Sequence, residues 1–163
     1  RYVEKELNAY ERAKVFSEKA TEKERLYIEA DYAGRIENLP EKRFSILKQI
    51  VHKFPNEKRV FTSLGSYYRR KQMYKEAIIN FNKALELDPE FSNAYNFLAF
   101  TYTEMGNYEK AIENFNNVIA NNPDDFESNL NIGNAYLSVA DKMSTDLRAK
   151  EEEKGNDGAE FLP

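Results

Sequence analysis

The sequence has no cysteine and no tryptophan, and its one histidine is His52. Without cysteine there is no disulfide, no thiolate metal ligand and no sulfur nucleophile. A single histidine excludes any site that requires two. No apolar run approaches the roughly 20 residues of a membrane-spanning helix. A basic excess is also missing: 24 Lys and Arg stand against 28 Asp and Glu, for a formal net charge of −4. That is the reverse of the electrostatic footprint of a nucleic-acid binder. There is no glycine-rich phosphate loop, no histidine-based zinc motif and no calcium loop of alternating carboxylates. His52 falls in Val51-His52-Lys53-Phe54-Pro55, a helix end where a solvent-facing partial positive charge is favoured. The carboxylates are scattered over helix surfaces and no pair has a catalytic arrangement. The chain therefore reads as a non-enzyme with no cofactor and no metal.

What is present is punctuation at a fixed interval. The 163 residues, 41% apolar and 32% charged, suit a compact domain or a short stack of repeats. Pro55, Pro89 and Pro123 stand 34 residues apart, each between amphipathic stretches of about a dozen residues. Proline cannot continue a helix and biases its predecessor away from helical angles, so these are helix stops. Phe61, Leu64, Gly65, Tyr68, Ala77 and Phe81 become Tyr95, Leu98, Ala99, Tyr102, Ala111 and Phe115 on adding 34. A further step keeps Asn129, Ile132, Gly133 and Tyr136 and then fails. One step back gives a weakened copy with Tyr27, Ala30, Asp31, Gly34, Arg43 and Leu47.

This spacing, aromatic-x2-Leu-Gly-x2-Tyr, then Ala-x3-Phe, then Pro, resembles the tetratricopeptide repeat (TPR), a helix–turn–helix unit of 34 residues. Phe61 stands where that family prefers Trp. The resemblance covers residues 24 to 138 and implies an all-α fold, a right-handed α-solenoid of about seven or eight antiparallel helices. The expected organisation runs from a helix of an incomplete preceding repeat at 1–20, through a degenerate repeat at 24–57, to full repeats at 58–91 and 92–125. A partial repeat with an extended capping helix follows at 126–150, then a polar tail or linker at 151–163, with Gly155 to Gly158 as a turn and Phe161-Leu162 seeking a place to dock. Thr21 with Glu24 reads as a capping box. Gly106-Asn107 reads as a left-handed helix stop. Phe61, Leu64, Gly65 and Tyr68 form one apolar stripe, in which Gly65 leaves room for a neighbouring helix. The chain begins at Arg1 with neither Met nor a signal-like segment. It reads as a fragment of a longer, bacterial-type repeat protein, for which cytoplasm and bacterial periplasm both fit.

With about 100° per residue, Arg59, Thr62, Ser66, Arg69 and Arg70 fall on an arc beside the core stripe. In stacks resembling this family that arc lines a concave groove. The period carries it to Asn93, Asn96 and Phe100, to Asn134, and back to Tyr32 and Arg35; Ser63, Phe97 and Asn131 lie just beyond. Arginine forks hold carboxylates and asparagine amides pair with peptide backbone. The sequence thus points to an interaction scaffold that binds a protein or peptide, acidic in character, along this groove. The alternative is a structural, assembly or regulatory segment of a larger protein with no ligand of its own. An RNA-binding helical repeat fits poorly with the negative charge and the changing arc residues. The slots that hold chaperone C-terminal tails in related clamps contain Thr62, Ser66, Phe97, Glu127 and Asn131. One repeat earlier they contain Ile28, Tyr32, Ser63, Asn93 and Phe97. Neither set includes a cation, so no such clamp is expected.

Overall fold

The computed structural model describes Arg12, residues 20–124 and residues 126–157. Among the described residues seven helices follow one another: α1 Glu22–Arg35, α2 Pro40–Lys53, α3 Lys58–Arg70, α4 Tyr74–Leu87, α5 Ser92–Glu104, α6 Tyr108–Asn121 and α7 Phe126–Asp157. No strand occurs among the described residues. The helix expected at 1–20 and the docking of Phe161-Leu162 lie outside them, apart from the helical Arg12. Two compact units form, Arg1–Phe97 and Leu98–Pro163, and the division falls within α5. Among the described residues no helix is long and apolar enough to cross a membrane.

The helix ends follow local chemistry. Thr21 and Glu24 make the capping box, with the Thr21 amide donating to Glu24 Oε2 at 2.8 Å and the Glu24 amide donating to Thr21 Oγ1 at 3.3 Å. Pro40 occupies the first turn of α2, where its missing N–H costs nothing. The hairpin turns share one device. Asn38, Gln72 and Gly106 have φ of 54°, 58° and 72°, so a left-handed residue recurs every 34 positions. Only the third is glycine, and that is the one the sequence announces. The next position in this series is Ala140, which is helical. With neither glycine nor proline there, α7 continues for 32 residues to Asp157. It runs past the expected end near Lys150 and through the expected turn at Gly155. Glutamates and lysines propagate a helix well, and one interior glycine costs only about 1 kcal/mol.

Within the first unit Ala30, Ala33, Ile46, Leu47, Ile50, Val60, Phe61 and Leu64 form one buried cluster, joined by Ala84 and Ala94. Phe81 is fully buried. A Cβ placed at Gly65 would lie 2.4 Å from its Cε1, so the glycine sets how closely α3 and α4 approach. In the second unit Ala99, Ala111 and Phe115 are buried together, with Phe100, Tyr102 and Ile132 against them. Ion pairs lie outside these clusters: Lys23 with Glu57 at 2.9 Å, Lys71 with Glu41 at 2.9 Å, and Lys58 with Asp88. Exposed pairs of this kind contribute about 0–1 kcal/mol each, so packing, not charge, decides the fold.

Candidate functional site

Four segments of the first unit converge on a cleft of about 410 Å³. Helix α3 supplies Thr62, Ser63, Ser66, Arg69 and Arg70, a stripe at helical spacing beside the core face. The end of α1 supplies Gly34 and Arg35, the first turn of α2 supplies Arg43, and α5 supplies Phe97. Four guanidinium groups therefore line one cleft, together with three hydroxyls and one aromatic ring. No carboxylate lines it.

Each wall is held in place. Phe97 stacks on Phe81 with ring centroids 5.4 Å apart and planes 12° apart, and Phe81 is itself packed against Gly65. The buried Thr62 hydroxyl donates to the Arg59 carbonyl at 2.9 Å, so Thr62 contributes shape and not a free donor. Arg43 Nη2 lies 3.4 Å from Asp31 Oδ1 and its side chain is only 22% exposed. Its Nε is buried with no hydrogen-bond partner among the described residues. Arg35 and Arg70 are exposed.

Arg43 is where the repeat pattern breaks in an informative way. In the later repeats its position is held by Ala77 and Ala111, both fully buried. Asp31 stands where they have Gly65 and Ala99, and Gly34 where they have Tyr68 and Tyr102. A Cβ at Gly34 would meet Arg43 Cδ at 2.4 Å. The three departures thus belong together: glycine clears the space, arginine fills it, and aspartate balances part of the charge.

Of the groove residues expected from the sequence, the structure brings Arg35, Thr62, Ser66, Arg69, Arg70 and Phe97 to this cleft. It does not bring the others there. The guanidinium of Arg59 lies over the Tyr27 ring at 5.5 Å. Tyr32 is half-buried elsewhere in the first unit and Asn93 is exposed. Asn96 Oδ1 is buried with no hydrogen-bond partner among the described residues. In the second unit Asn131 is half-buried and Asn134 exposed. Phe100 is half-buried, its ring packed edge-on against Phe115, 5.4 Å away at 87°. Gly34 and Arg43 are the lining residues that the arc on the first helices misses. Their signal was the matched set of departures at positions 31, 34 and 43. Among the described residues no group of three or more His, Asp or Glu side chains is placed to hold a metal ion.

The family described as "Regulator of microtubule dynamics protein 1-3" matches residues 55–142, just over half of the chain. The protein named "Uncharacterized protein ycf37" of Guillardia theta is 33% identical over 96 residues, which are 56% of this chain and 52% of that protein. The chain thus spans about half the length of the curated relative it matches. Among solved structures, MamA superposes with a TM-score of 0.65 at 24% identity, covering 94% of this chain and 89% of that one. The first TPR of Spaghetti (RPAP3), bound to the HSP90 peptide SRMEEVD, superposes with a TM-score of 0.65 at 16% identity, covering 71% of this chain and 90% of that one. These likenesses establish the tetratricopeptide-repeat fold.

Proposed function

The chain belongs to the family described as regulator of microtubule dynamics protein 1-3, and from that premise we propose that it is a non-enzymatic interaction scaffold whose first-unit cleft holds an acidic segment of a partner protein. One observation carries the reading: four arginines line the cleft and no carboxylate does. Like charges gathered in one place repel, and an incoming anion removes that cost while gaining charge-assisted hydrogen bonds. The family's description adds microtubules to the partners worth testing. Chaperone tails stay outside the reading, because the slots that would grip their terminal carboxylate hold Thr62, Ser66, Phe97, Glu127 and Asn131.

The test is fluorescence anisotropy with a glutamate-rich peptide capped at both ends. Binding is expected to weaken severalfold between about 50 and 300 mM salt, as screening shortens the reach of the arginines. Arg35→Glu combined with Arg70→Glu is expected to abolish it, with helical content and Tm unchanged because both residues are exposed. Undiminished binding in that variant means the cleft is not the site.

A second reading, an assembly segment, draws support from α7, which exposes Leu130, Leu137, Met143 and Leu147. A stable monomer at high concentration, measured by light scattering, removes self-association as its basis.

A further inference from the structure

We propose that the cleft selects a phosphate monoester, a phosphoserine or phosphothreonine side chain of the partner segment, over a carboxylate. This rests on the reading of the cleft as the partner-binding surface and makes it specific.

The count of donors favours a phosphate. A carboxylate brings one charge and two oxygens, and a single bidentate arginine engages both oxygens. The cleft offers Arg35, Arg43 and Arg70, with the hydroxyls of Ser63 and Ser66 beside them. A phosphate monoester brings about −1.5 to −2 charges and three strong acceptor oxygens at neutral pH. That matches a site with more than one arginine, whereas a carboxylate is satisfied by a single bidentate one.

Arg43 itself points the same way. It is an arginine built into the slot that the later repeats fill with Ala77 and Ala111, and its side chain is mostly covered. Asp31 meets one terminal nitrogen, while the buried Nε has no acceptor among the described residues. A buried N–H without an acceptor is unfavourable, so an arginine kept here, where it still lines the cleft, points to an anionic ligand that its guanidinium charge attracts. Arg35 and Arg70 add to the demand, since neither forms an ion pair among the described residues.

The shape of the cleft agrees. The volume of about 410 Å³ lies in the range of small-ligand pockets, enough for a phosphate and the residues flanking it. The Phe97 ring, fixed by its stack on Phe81, gives those residues an apolar wall.

The experiment compares three capped peptides of sequence Gly-Glu-X-Glu-Gly, with X as phosphoserine, glutamate or serine, titrated against the whole chain. At pH 7.5 the phosphopeptide is expected to bind about tenfold more tightly than the glutamate peptide. The gap is expected to narrow at pH 5.5, because the second phosphate ionisation lies near pH 6. Arg43→Ala restores the residue of the later repeats and is expected to remove the preference, weakening the phosphoserine peptide about tenfold more than the glutamate peptide. Arg59→Gln, outside the cleft, is expected to change nothing. Equal affinity for the phosphoserine and glutamate peptides, or a preference that survives Arg43→Ala, overturns the phosphate assignment and leaves the acidic-segment reading standing. Failure of all three peptides to bind overturns both. Binding to phosphatidylcholine vesicles containing phosphatidic acid, with none to the phosphopeptide, reassigns the cleft to a lipid head group and overturns the proposal.

Discussion

Gly65 and Phe81 are matched across the α3–α4 hairpin: a Cβ on the glycine would stand 2.4, 2.6 and 2.8 Å from three carbons of the ring. The ring has no room to retreat, being fully buried and stacked on Phe97. In an open helix, glycine to alanine would stabilise by up to about 1 kcal/mol; here the overlap reverses the sign. Gly65→Ala is expected to destabilise the chain by about 1–3 kcal/mol. Phe81→Ala is expected to cost about 3–5 kcal/mol through the cavity it leaves. The check is urea unfolding of both variants and of the double variant. The double variant should lose less than the sum, because the smaller residue at 81 relieves the clash. Simple additivity would mean that the two do not constrain each other.

Gln72 and Gly106 give a reciprocal pair of outcomes. Gln72 holds a left-handed φ of 58°, which costs a residue with a Cβ about 1 kcal/mol or more. Gln72→Gly is therefore expected to raise the Tm, a gain reduced by the greater entropy of glycine in the unfolded chain. Gly106 has φ 72° and open space around it, so Gly106→Ala is expected to lower the Tm through backbone strain alone. Thermal melts by circular dichroism read both, and a stabilising Gly106→Ala would contradict the turn geometry.

Acid is expected to weaken the fold through a small set of carboxylates. Glu41 accepts from the Tyr67 hydroxyl at 2.6 Å and pairs with Lys71, and both hold its carboxyl below the ordinary range. Lys58 does the same for Asp88, and Lys53 for Glu22. At Glu57 burial pushes upward, but the bonds to Lys23 and the Arg59 amide outweigh it. Each folded pKa thus lies below its unfolded value. The contribution is complete above about pH 4.3 and is lost as pH falls through the folded values. The Tm should be flat from about pH 8 to 5 and decline below about 4. Glu41→Gln should make the decline shallower, and a Tm that rises on acidification would reverse the assigned signs.

A peptide ending in the chaperone sequence Met-Glu-Glu-Val-Asp is expected to bind no better as the free acid than as its C-terminal amide. Calorimetry should find neither at micromolar affinity. The reason is local: no lysine or arginine occupies the slots that would hold the terminal carboxylate. A micromolar free acid with a silent amide would restore the clamp.

The helix boundaries were legible because proline and glycine sit in phase. Pro55, Pro89 and Pro123 fall in the gaps that follow α2, α4 and α6, and the turn at Gly106 is left-handed as expected. Asn38 and Gln72 were harder to read, since their residue types only permit a left-handed turn that the repeat geometry imposes. Phe100 makes a contact that its angle on the helix does not announce. A residue beside the core stripe can turn a large ring inward when an alanine such as Ala111 leaves space, and Phe115 supplies the partner. Arg43 was missed for a different reason. A repeat that departs from its pattern looks eroded when positions are judged singly, and the three departures make sense only together.

That interdependence restricts the routes by which the cleft could have arisen. Starting from the later repeats' pattern, an arginine introduced opposite a tyrosine meets a ring where Gly34 now leaves space. A glycine introduced opposite an alanine opens a void. An aspartate introduced alone in the small-residue slot adds a charge with nothing opposite it. Each single step is expected to lower stability, and the benefit arrives only when Asp31, Gly34 and Arg43 stand together. Sequences that diverge from this one should therefore change the three positions as a block.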